Sequence, residues 1–86
     1  MVEAISKWLL EYFSMLYAKK RTETFDFQEA VEILKKDERF IGQILSELNQ
    51  AGWITKKREE TDRRKKIYQL NTPDEILSEL GKKLYK

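Results

Sequence analysis

The sequence contains neither cysteine nor histidine among its 86 residues. The missing thiol excludes a disulfide framework and a thiolate metal site. The missing imidazole excludes the most common general base and zinc ligand, and with them any histidine-based catalytic triad. The other reactive side chains form no catalytic spacing. We therefore expect a protein that is not an enzyme and that uses no metal and no cofactor.

Long apolar runs are also lacking. No run approaches the roughly 18–20 residues that a membrane span needs, and the first residues do not form a signal-peptide pattern. The length suits one domain, since single domains usually have roughly 50 to 200 residues. We therefore predict a single domain over residues 1–86 that contacts no membrane. Its expected location is the cytoplasm.

Positive charge is concentrated in one short segment, although the net charge is only +2. Residues 53–68 contain seven cations and three anions, whereas the rest of the chain contains ten cations and twelve anions. A local excess of this kind indicates a polyanionic partner. The seven cations are Lys56, Lys57, Arg58, Arg63, Arg64, Lys65 and Lys66.

Apolar periodicity and capping residues divide the chain into elements. The first helix has apolar residues at the i, i+3 and i+4 spacing of one helical face. Asp26 with Glu29 has the form of a capping box, and Thr72 before Pro73 is a typical helix start. The predicted elements are a helix over 2–19, a short strand over 23–26, helices over 27–36 and 38–50, a strand pair over 53–71 and a last helix over 73–85.

This order predicts an α+β, mostly helical fold. Two helices joined by a tight turn and followed by a two-stranded hairpin, the wing, form a winged helix-turn-helix. We expect a three-helix core, a two-stranded β-wing and a flanking C-terminal helix.

Two stretches resemble known winged-helix regulators of archaea and bacteria. In "IGQILSELNQAGWI", residues 41–54, apolar residues precede a turn at Gly52, as at the end of the recognition helix in that superfamily. "DRRKKIYQLN", residues 62–71, is similar to the wing of MarR-like regulators, which carry an Asp-x-Arg tip and close with Leu-Thr. Asn71 stands here in place of the threonine.

The resemblance implies roles for the tip residues. In MarR-like wings the tip aspartate pairs with the arginine two positions on, which assigns Asp62 and Arg64 as a structural pair. One tip arginine enters the minor groove, which leaves Arg63 for that role. MarR-like proteins have longer flanking helices that build a dimer and a ligand pocket. We therefore carry over the fold and not the ligand response, and we predict no small-molecule ligand.

The third helix presents a polar face. At about 100° per residue, four polar side chains fall within roughly 60° of one another, opposite the apolar side. Arginine pairs with guanine, glutamine with adenine and serine with either base. Gly42 lies beside them and would allow a close approach of the backbone. The predicted major-groove residues are Arg39, Gly42, Gln43, Ser46 and Gln50. An ordinary solvated helix face would also be polar, but this one contains no acid.

We expect a small transcriptional regulator that binds double-stranded DNA as a homodimer. Its third helix would enter the major groove, and the seven wing cations would contact phosphates or the minor groove. Cations on a wing strand can also simply prevent edge-to-edge aggregation. The surplus apolar surface of the terminal helices is the predicted dimer interface. Its candidates are Trp8, Tyr12, Met15, Leu77, Leu80 and Leu84.

Two alternatives remain open. Winged helices also serve as protein–protein docking modules, and a fold does not fix a function. For that alternative, the aromatic stripe of the first helix would be the binding surface. RNA binding is a weaker alternative, because no aromatic residue accompanies the wing cations to stack on unpaired bases.

Overall fold

A computed structural model describes residues 2–58 and 66–85. Within these ranges, four helices and three strands follow one another. They are α1 (Lys7–Lys20), β1 (Phe25–Asp26), α2 (Phe27–Leu34), α3 (Glu38–Gln50), β2 (Ile54–Arg58), β3 (Lys66–Leu70) and α4 (Pro73–Leu84). The predicted fold class is therefore confirmed: helices α1 to α3 form the core, β2 and β3 form the wing, and α4 flanks them.

The first helix begins at Lys7, so the prediction of a helix from residue 2 is wrong. Residues 2–6 are not helical because they are bonded to the turn after α3. The Glu3 amide donates to the carbonyl of Ala51 at 2.8 Å, and the Trp53 indole donates to the carbonyl of Glu3 at 2.6 Å. Val2 is also buried. Long-range bonds therefore outweigh the local helical pattern.

Two other elements are shorter than predicted. Helix α2 ends at Leu34 rather than at residue 36, because Lys35 adopts a left-handed conformation (φ 54°, ψ 44°) that ends the helix. The strand predicted over 23–26 is reduced to Phe25–Asp26. It pairs with β3, which turns the wing into a three-stranded antiparallel sheet in the order β1-β3-β2.

Capping residues set the starts of α2, α3 and α4. The Asp26 carboxylate accepts from the Glu29 amide at 2.8 Å, and the Asp26 amide donates back to the Glu29 carboxylate. The Asp37 carboxylate accepts from the Phe40 amide at 2.8 Å, and the Thr72 hydroxyl accepts from the Glu75 amide at 3.2 Å. Each bond satisfies an amide that has no partner inside its helix.

The core lies between α1, α2, α3 and the inner face of the sheet. Its fully buried large side chains come from α1, α3 and the three strands, and one comes from α4. They are Leu16, Phe25, Ile41, Ile44, Leu45, Leu48, Ile54, Leu70 and Ile76. Helix α3 contributes four of them, so its orientation is fixed by packing.

Candidate nucleic-acid interface

The polar face of α3 points away from the core. Arg39, Gln43 and Ser46 are exposed, on the side of the helix opposite the buried Ile41, Ile44, Leu45 and Leu48. The three side chains combine guanidinium, amide and hydroxyl groups, which can donate to base edges or phosphates. Because α3 is anchored by its apolar side, this face is displayed as one rigid surface.

Gly42 and Gln50 differ from the rest of that predicted set. Gly42 lies beside α2, where a Cβ atom would stand 3.9 Å from the Phe27 ring. Gln50 is exposed, but it borders a cavity of about 300 Å³ that is also lined by the segment before α1. The most open part of the predicted face is therefore its beginning and middle, from Arg39 to Ser46.

Glu47 lines the same cavity. Its Oε2 atom is buried and has no hydrogen-bond partner within the described residues. The cavity is also lined by Glu3, Ala4 and Ile5 from the segment before α1. The arc of α3 that holds Arg39, Gln43, Ser46 and Gln50 contains no acid, as the helical spacing predicted.

The wing has two chemically different faces. Side chains alternate along a strand, so Ile54, Lys56 and Arg58 share one face of β2. They pair with Leu70, Tyr68 and Lys66 respectively on β3. At the base, this face is apolar and buried. Farther out, Lys56, Arg58 and Lys66 are exposed. We call these three residues the wing cation cluster.

Like charges adjoin one another in the wing cation cluster. Arg58 lies directly opposite Lys66, an arrangement that destabilises a strand pair. The nearby Lys66 ammonium is the main cause that lowers the pKa of Lys56 from its usual value, and desolvation is the second cause. No carboxylate in residues 2–58 or 66–85 forms an ion pair with this cluster. Among the described residues, the charge of the cluster is therefore not neutralised by a carboxylate.

Lys57 lies on the other face of the wing and takes part in a structural network. Its ammonium donates to the Gln69 side-chain oxygen at 2.9 Å, and the Gln69 side-chain amide donates to the carbonyl of Thr22 at 2.8 Å. This network ties the wing to the turn after α1. The remaining predicted contacts, Arg63, Arg64, Lys65 and the Asp62–Arg64 pair, lie outside the described residues.

Asn71 anchors the base of the wing, a role that the sequence did not reveal. Its side-chain amide donates to the carbonyl of Gly52 at 2.7 Å, and its side-chain oxygen accepts from Thr55 at 3.1 Å. Gly52 has a φ of 82°, which a side chain would strain. The departure from the Leu-Thr ending was visible in the sequence, but its partners lie 16 and 19 positions away.

Lys20 is engaged in a structural pair. Its ammonium bonds with the Glu29 carboxylate, and this bond is the main cause that raises the pKa of Lys20. The pair links the end of α1 to the capping box of α2. Lys20 is thereby less available to an external anion than the wing cation cluster.

The predicted dimer interface falls on two separate surfaces. Trp8 stacks on Phe40 with ring centroids 5.9 Å apart, and Tyr12 contacts the same ring edge-on at 5.4 Å. Met15 shares this side of α1, since it lies seven residues after Trp8. Leu77 instead lines a groove on the other side of α1. The structure does not join these residues into one patch.

Along the described ranges, 2–58 and 66–85, the helices are too short or too polar for any of them to cross a bilayer. Within the same ranges, no three or more acidic residues gather into a group that could hold a metal ion.

Comparison with solved structures identifies the fold. A mutant of MarR from E. coli, complexed with operator DNA, superposes with a TM-score of 0.64 and 18% identity. A mutant of MepR from S. aureus, bound to an oligodeoxyribonucleotide, gives 0.67 and 18%. A second MepR mutant gives 0.65 and 18%. The fold is that of the MarR-like winged-helix proteins.

The matched portions differ in extent. The alignment covers 79% of this chain and 46% of the MarR chain, and 94% of this chain and 64% of each MepR chain. The chain therefore spans about half to two thirds of the length of these structures. Comparison by sequence finds no matching family model and no similar curated protein. The structural matches confirm, for the fold, the MarR-like resemblance predicted from residues 41–71.

Proposed function

We propose that the chain binds double-stranded DNA sequence-specifically and acts as a small transcriptional regulator. The observation that carries the proposal is the acid-free polar face of α3, held outward by four buried side chains on the opposite side. A winged-helix framework presents this helix next to the wing. DNA in two of the matched structures supports the same partner.

Helix α3 is proposed to enter the major groove, which is wide enough for a helix. Arg39 would pair with a guanine and Gln43 with an adenine, and Ser46 can bond either base. Gln50, near the segment before α1, would contact the edge of the site. Gly42 would let the α3 backbone lie close to a phosphate.

The wing is proposed to contact the phosphate backbone. Lys56, Arg58 and Lys66 repel one another in the free protein, and phosphates placed between them would relieve that repulsion. Neutralising phosphates also releases counterions, which favours binding at low salt. By sequence, the proposal extends to Arg63 in the minor groove and to Arg64 and Lys65 beside it. Lys57 contributes mainly to holding the wing in place.

A homodimer is proposed as the functional form, since a second copy would double the number of base and phosphate contacts. A symmetric pair would read two half-sites one helical turn of DNA, or a multiple, apart. Such a regulator would act in the cytoplasm, on the nucleoid.

The test of the wing assignment is the fluorescence anisotropy of a labelled random-sequence duplex titrated with protein at about 50 to 200 mM salt. We expect Lys56→Gln with Lys66→Gln to weaken binding at least tenfold at the lowest salt. The magnitude of the slope of the logarithm of the binding constant against the logarithm of the salt concentration should fall by the equivalent of about two phosphate contacts. The matched control is Lys82→Gln with Lys83→Gln in α4, which removes the same charge and should have a much smaller effect.

Equal losses in the two double variants would show that net charge, and not the wing, governs affinity. No binding of the wild-type protein at the lowest salt would refute DNA binding and favour the protein-docking alternative.

A further inference from the structure

Lys56 lies at a chemical boundary within the wing. The residue directly opposite it on β3 is Tyr68, which is buried, and directly opposed side chains lie close together. Arg58 follows on the same face of β2. Lys66, two positions before Tyr68, is the diagonal neighbour, at a separation that long side chains can span. Lys56 is therefore exposed between an apolar base and two further cations.

This position favours the neutral form of the Lys56 amine. The positive charge of Lys66 is the first cause that lowers the pKa of Lys56, desolvation is the second, and the charge of Arg58 also contributes. Only the neutral amine has a lone pair that can attack a carbon atom, and a neighbouring cation is one means by which proteins activate a lysine nucleophile. A larger fraction of Lys56 than of an ordinary exposed lysine is thus ready to react at neutral pH.

Two other lysines show the opposite situation. The Lys20 ammonium is bonded to the Glu29 carboxylate, which raises the pKa of Lys20 and so holds its proton more tightly. The Lys57 ammonium, on the other face of the wing, donates to the Gln69 side-chain oxygen at 2.9 Å. Both lysines use their N–H groups in structural contacts, whereas the groups that act on Lys56 are cations.

The two cations beside Lys56 also favour a particular class of reagent. Arg58 carries a planar guanidinium that binds phosphate through two parallel hydrogen bonds, and Lys66 adds a point charge. A phosphate group held by them would lie beside the Lys56 nitrogen. In an acyl phosphate, a single oxygen atom separates the reactive carbonyl carbon from the phosphorus. Binding of its phosphate group would therefore bring that carbon to the amine.

We propose that Lys56 is a modification site that is acylated by small acyl phosphates, such as acetyl phosphate. The lone pair of the Lys56 nitrogen attacks the carbonyl carbon, and a C–N bond forms. The bond between that carbon and the bridging oxygen breaks, and phosphate leaves with the electron pair of this bond. The nitrogen gives one proton to water or to the departing phosphate. The products are an amide on Lys56 and hydrogenphosphate.

Acylation would change the charge of the wing and not its fold. It removes one of the three positive charges of the wing cation cluster and leaves a neutral amide, so repulsion between the strands falls. The consequence for DNA rests on the proposed function: the loss of one phosphate contact would weaken duplex binding and lower its salt dependence. A bound duplex would in turn shield Lys56 from the acyl phosphate.

Site-resolved mass spectrometry measures the reaction without DNA. The folded protein is incubated with acetyl phosphate, and the initial rate of acetylation is determined at Lys56, Lys57 and Lys83. We expect Lys56 to react about three to ten times faster than either of the others. Lys83 is the matched control, because it is an exposed lysine outside the wing. The same preference in the chain unfolded by urea would overturn the proposal, since the strand register would then not cause it.

Removal of either neighbouring cation tests the role of the cluster. Lys66→Gln and Arg58→Gln should each lower the acetylation rate of Lys56 about threefold or more and leave that of Lys83 unchanged. Both variants relieve like-charge repulsion, so they should fold as the wild type does. Lys82→Gln, which removes the same charge from α4, is the control and should not change the rate at Lys56. Equal rates in the wild type and in both wing variants would contradict the proposal.

A second reagent separates phosphate binding from amine reactivity. The neutral ester N-acetoxysuccinimide transfers the same acetyl group but carries no phosphate. The preference for Lys56 over Lys83 should be smaller with this ester than with acetyl phosphate. Only the preference shown by acetyl phosphate should fall as the salt is raised from about 50 to 200 mM, because salt screens exposed charges. Preferences of equal size with the two reagents would exclude phosphate binding by Arg58 and Lys66.

Addition of a duplex before acetyl phosphate distinguishes this proposal from the proposed function. We expect saturating duplex to slow the acetylation of Lys56 and to leave that of Lys83 unchanged. Preferential acetylation of Lys56 that the duplex does not slow would support the modification site and refute the contact between wing and DNA. Duplex binding by a protein whose Lys56 reacts no faster than Lys83 would refute the modification site and leave the proposed function intact.

Discussion

Helices α3 and α4 are nearly equal in length, at 13 and 12 residues, and both begin at a side-chain cap. They differ in how the fold uses their apolar sides. Helix α3 buries Ile41, Ile44, Leu45 and Leu48, whereas α4 buries only Ile76. One amphipathic helix thus packs its apolar side against the core, whereas the other buries a single side chain there.

This difference separates two kinds of binding surface. Helix α3 has used its apolar side for folding, so it is rigid and presents a polar face to a polar ligand. Helix α4 keeps most of its apolar side exposed, so it suits an apolar partner. The proposed DNA contact follows from the outward polar face of α3.

Truncation of a leucine gives the largest expected contrast. Leu45→Ala should destabilise the protein by about 2–5 kcal/mol, because it removes buried contacts and leaves a cavity. Leu84→Ala should change the stability of the monomer by no more than about 0.5 kcal/mol, since the side chain is exposed. Chemical denaturation at a dilution where the chain is monomeric measures both. Comparable losses would contradict the view that α4 is peripheral.

Removal of the helix caps gives a smaller contrast. Asp37→Ala should cost about 1 kcal/mol of global stability, because α3 cannot fray without losing the core. Thr72→Ala should weaken α4 by a similar amount, but mostly through local opening. Hydrogen exchange distinguishes the two cases, since amides after residue 76 would exchange faster only in the second. Global destabilisation by Thr72→Ala would show that α4 folds together with the core.

Replacement of one glycine in each helix by alanine tests the comparison by the addition of a single methyl group. Gly42→Ala and Gly81→Ala should each stabilise their helix by up to about 1 kcal/mol through better helix propensity. Space permits both changes, since the Cβ at position 42 meets the Phe27 ring at an ordinary 3.9 Å and that at position 81 meets nothing within 4 Å. Thermal unfolding measures the gain. If Gly42→Ala stabilises the protein but weakens duplex binding, the close approach of the α3 backbone to DNA is supported.

Ionisation of Tyr68 gives the smallest expected effect on stability, because it acts only at alkaline pH. Burial raises the pKa of Tyr68 above its usual value of 10.0, so the folded state holds this proton more tightly than the unfolded state. Stability should therefore be unaffected below about pH 10 and fall as the pH rises above it. Tyr68→Phe should reduce this alkaline loss in unfolding measurements. A loss of the same size in both proteins would assign it to other groups.

The sequence predicted the fold because its local signals agree with the packing. The capping box at Asp26, the cap at Thr72 and the turn at Gly52 mark helix ends that the structure retains. The error at the first helix has the opposite cause. Residues 2–6 carry a helical pattern, but bonds to Ala51 and Trp53, about fifty positions away, fix them in a non-helical conformation.

The candidate site was only partly predictable. Helical spacing alone places Arg39, Gln43 and Ser46 on one exposed face. By contrast, the charge run of the wing does not show that Lys57 is bonded to Gln69 on the far side of the hairpin. That distinction depends on strand register, which the sequence does not specify. The apolar surplus of α1 likewise did not show that Trp8 is already stacked on Phe40.

The most direct test of the central claim is a measurement of sequence discrimination. The preferred duplex is first selected from a random library with the wild-type protein, and its affinity is then compared with that of a scrambled duplex. We expect Arg39→Ala with Gln43→Ala to lower this affinity ratio at least tenfold, as loss of base contacts worth about 1–3 kcal/mol each implies, while binding to the scrambled duplex persists. The control Lys82→Ala should keep the ratio. An unchanged ratio in the double variant would show that α3 does not read the DNA sequence.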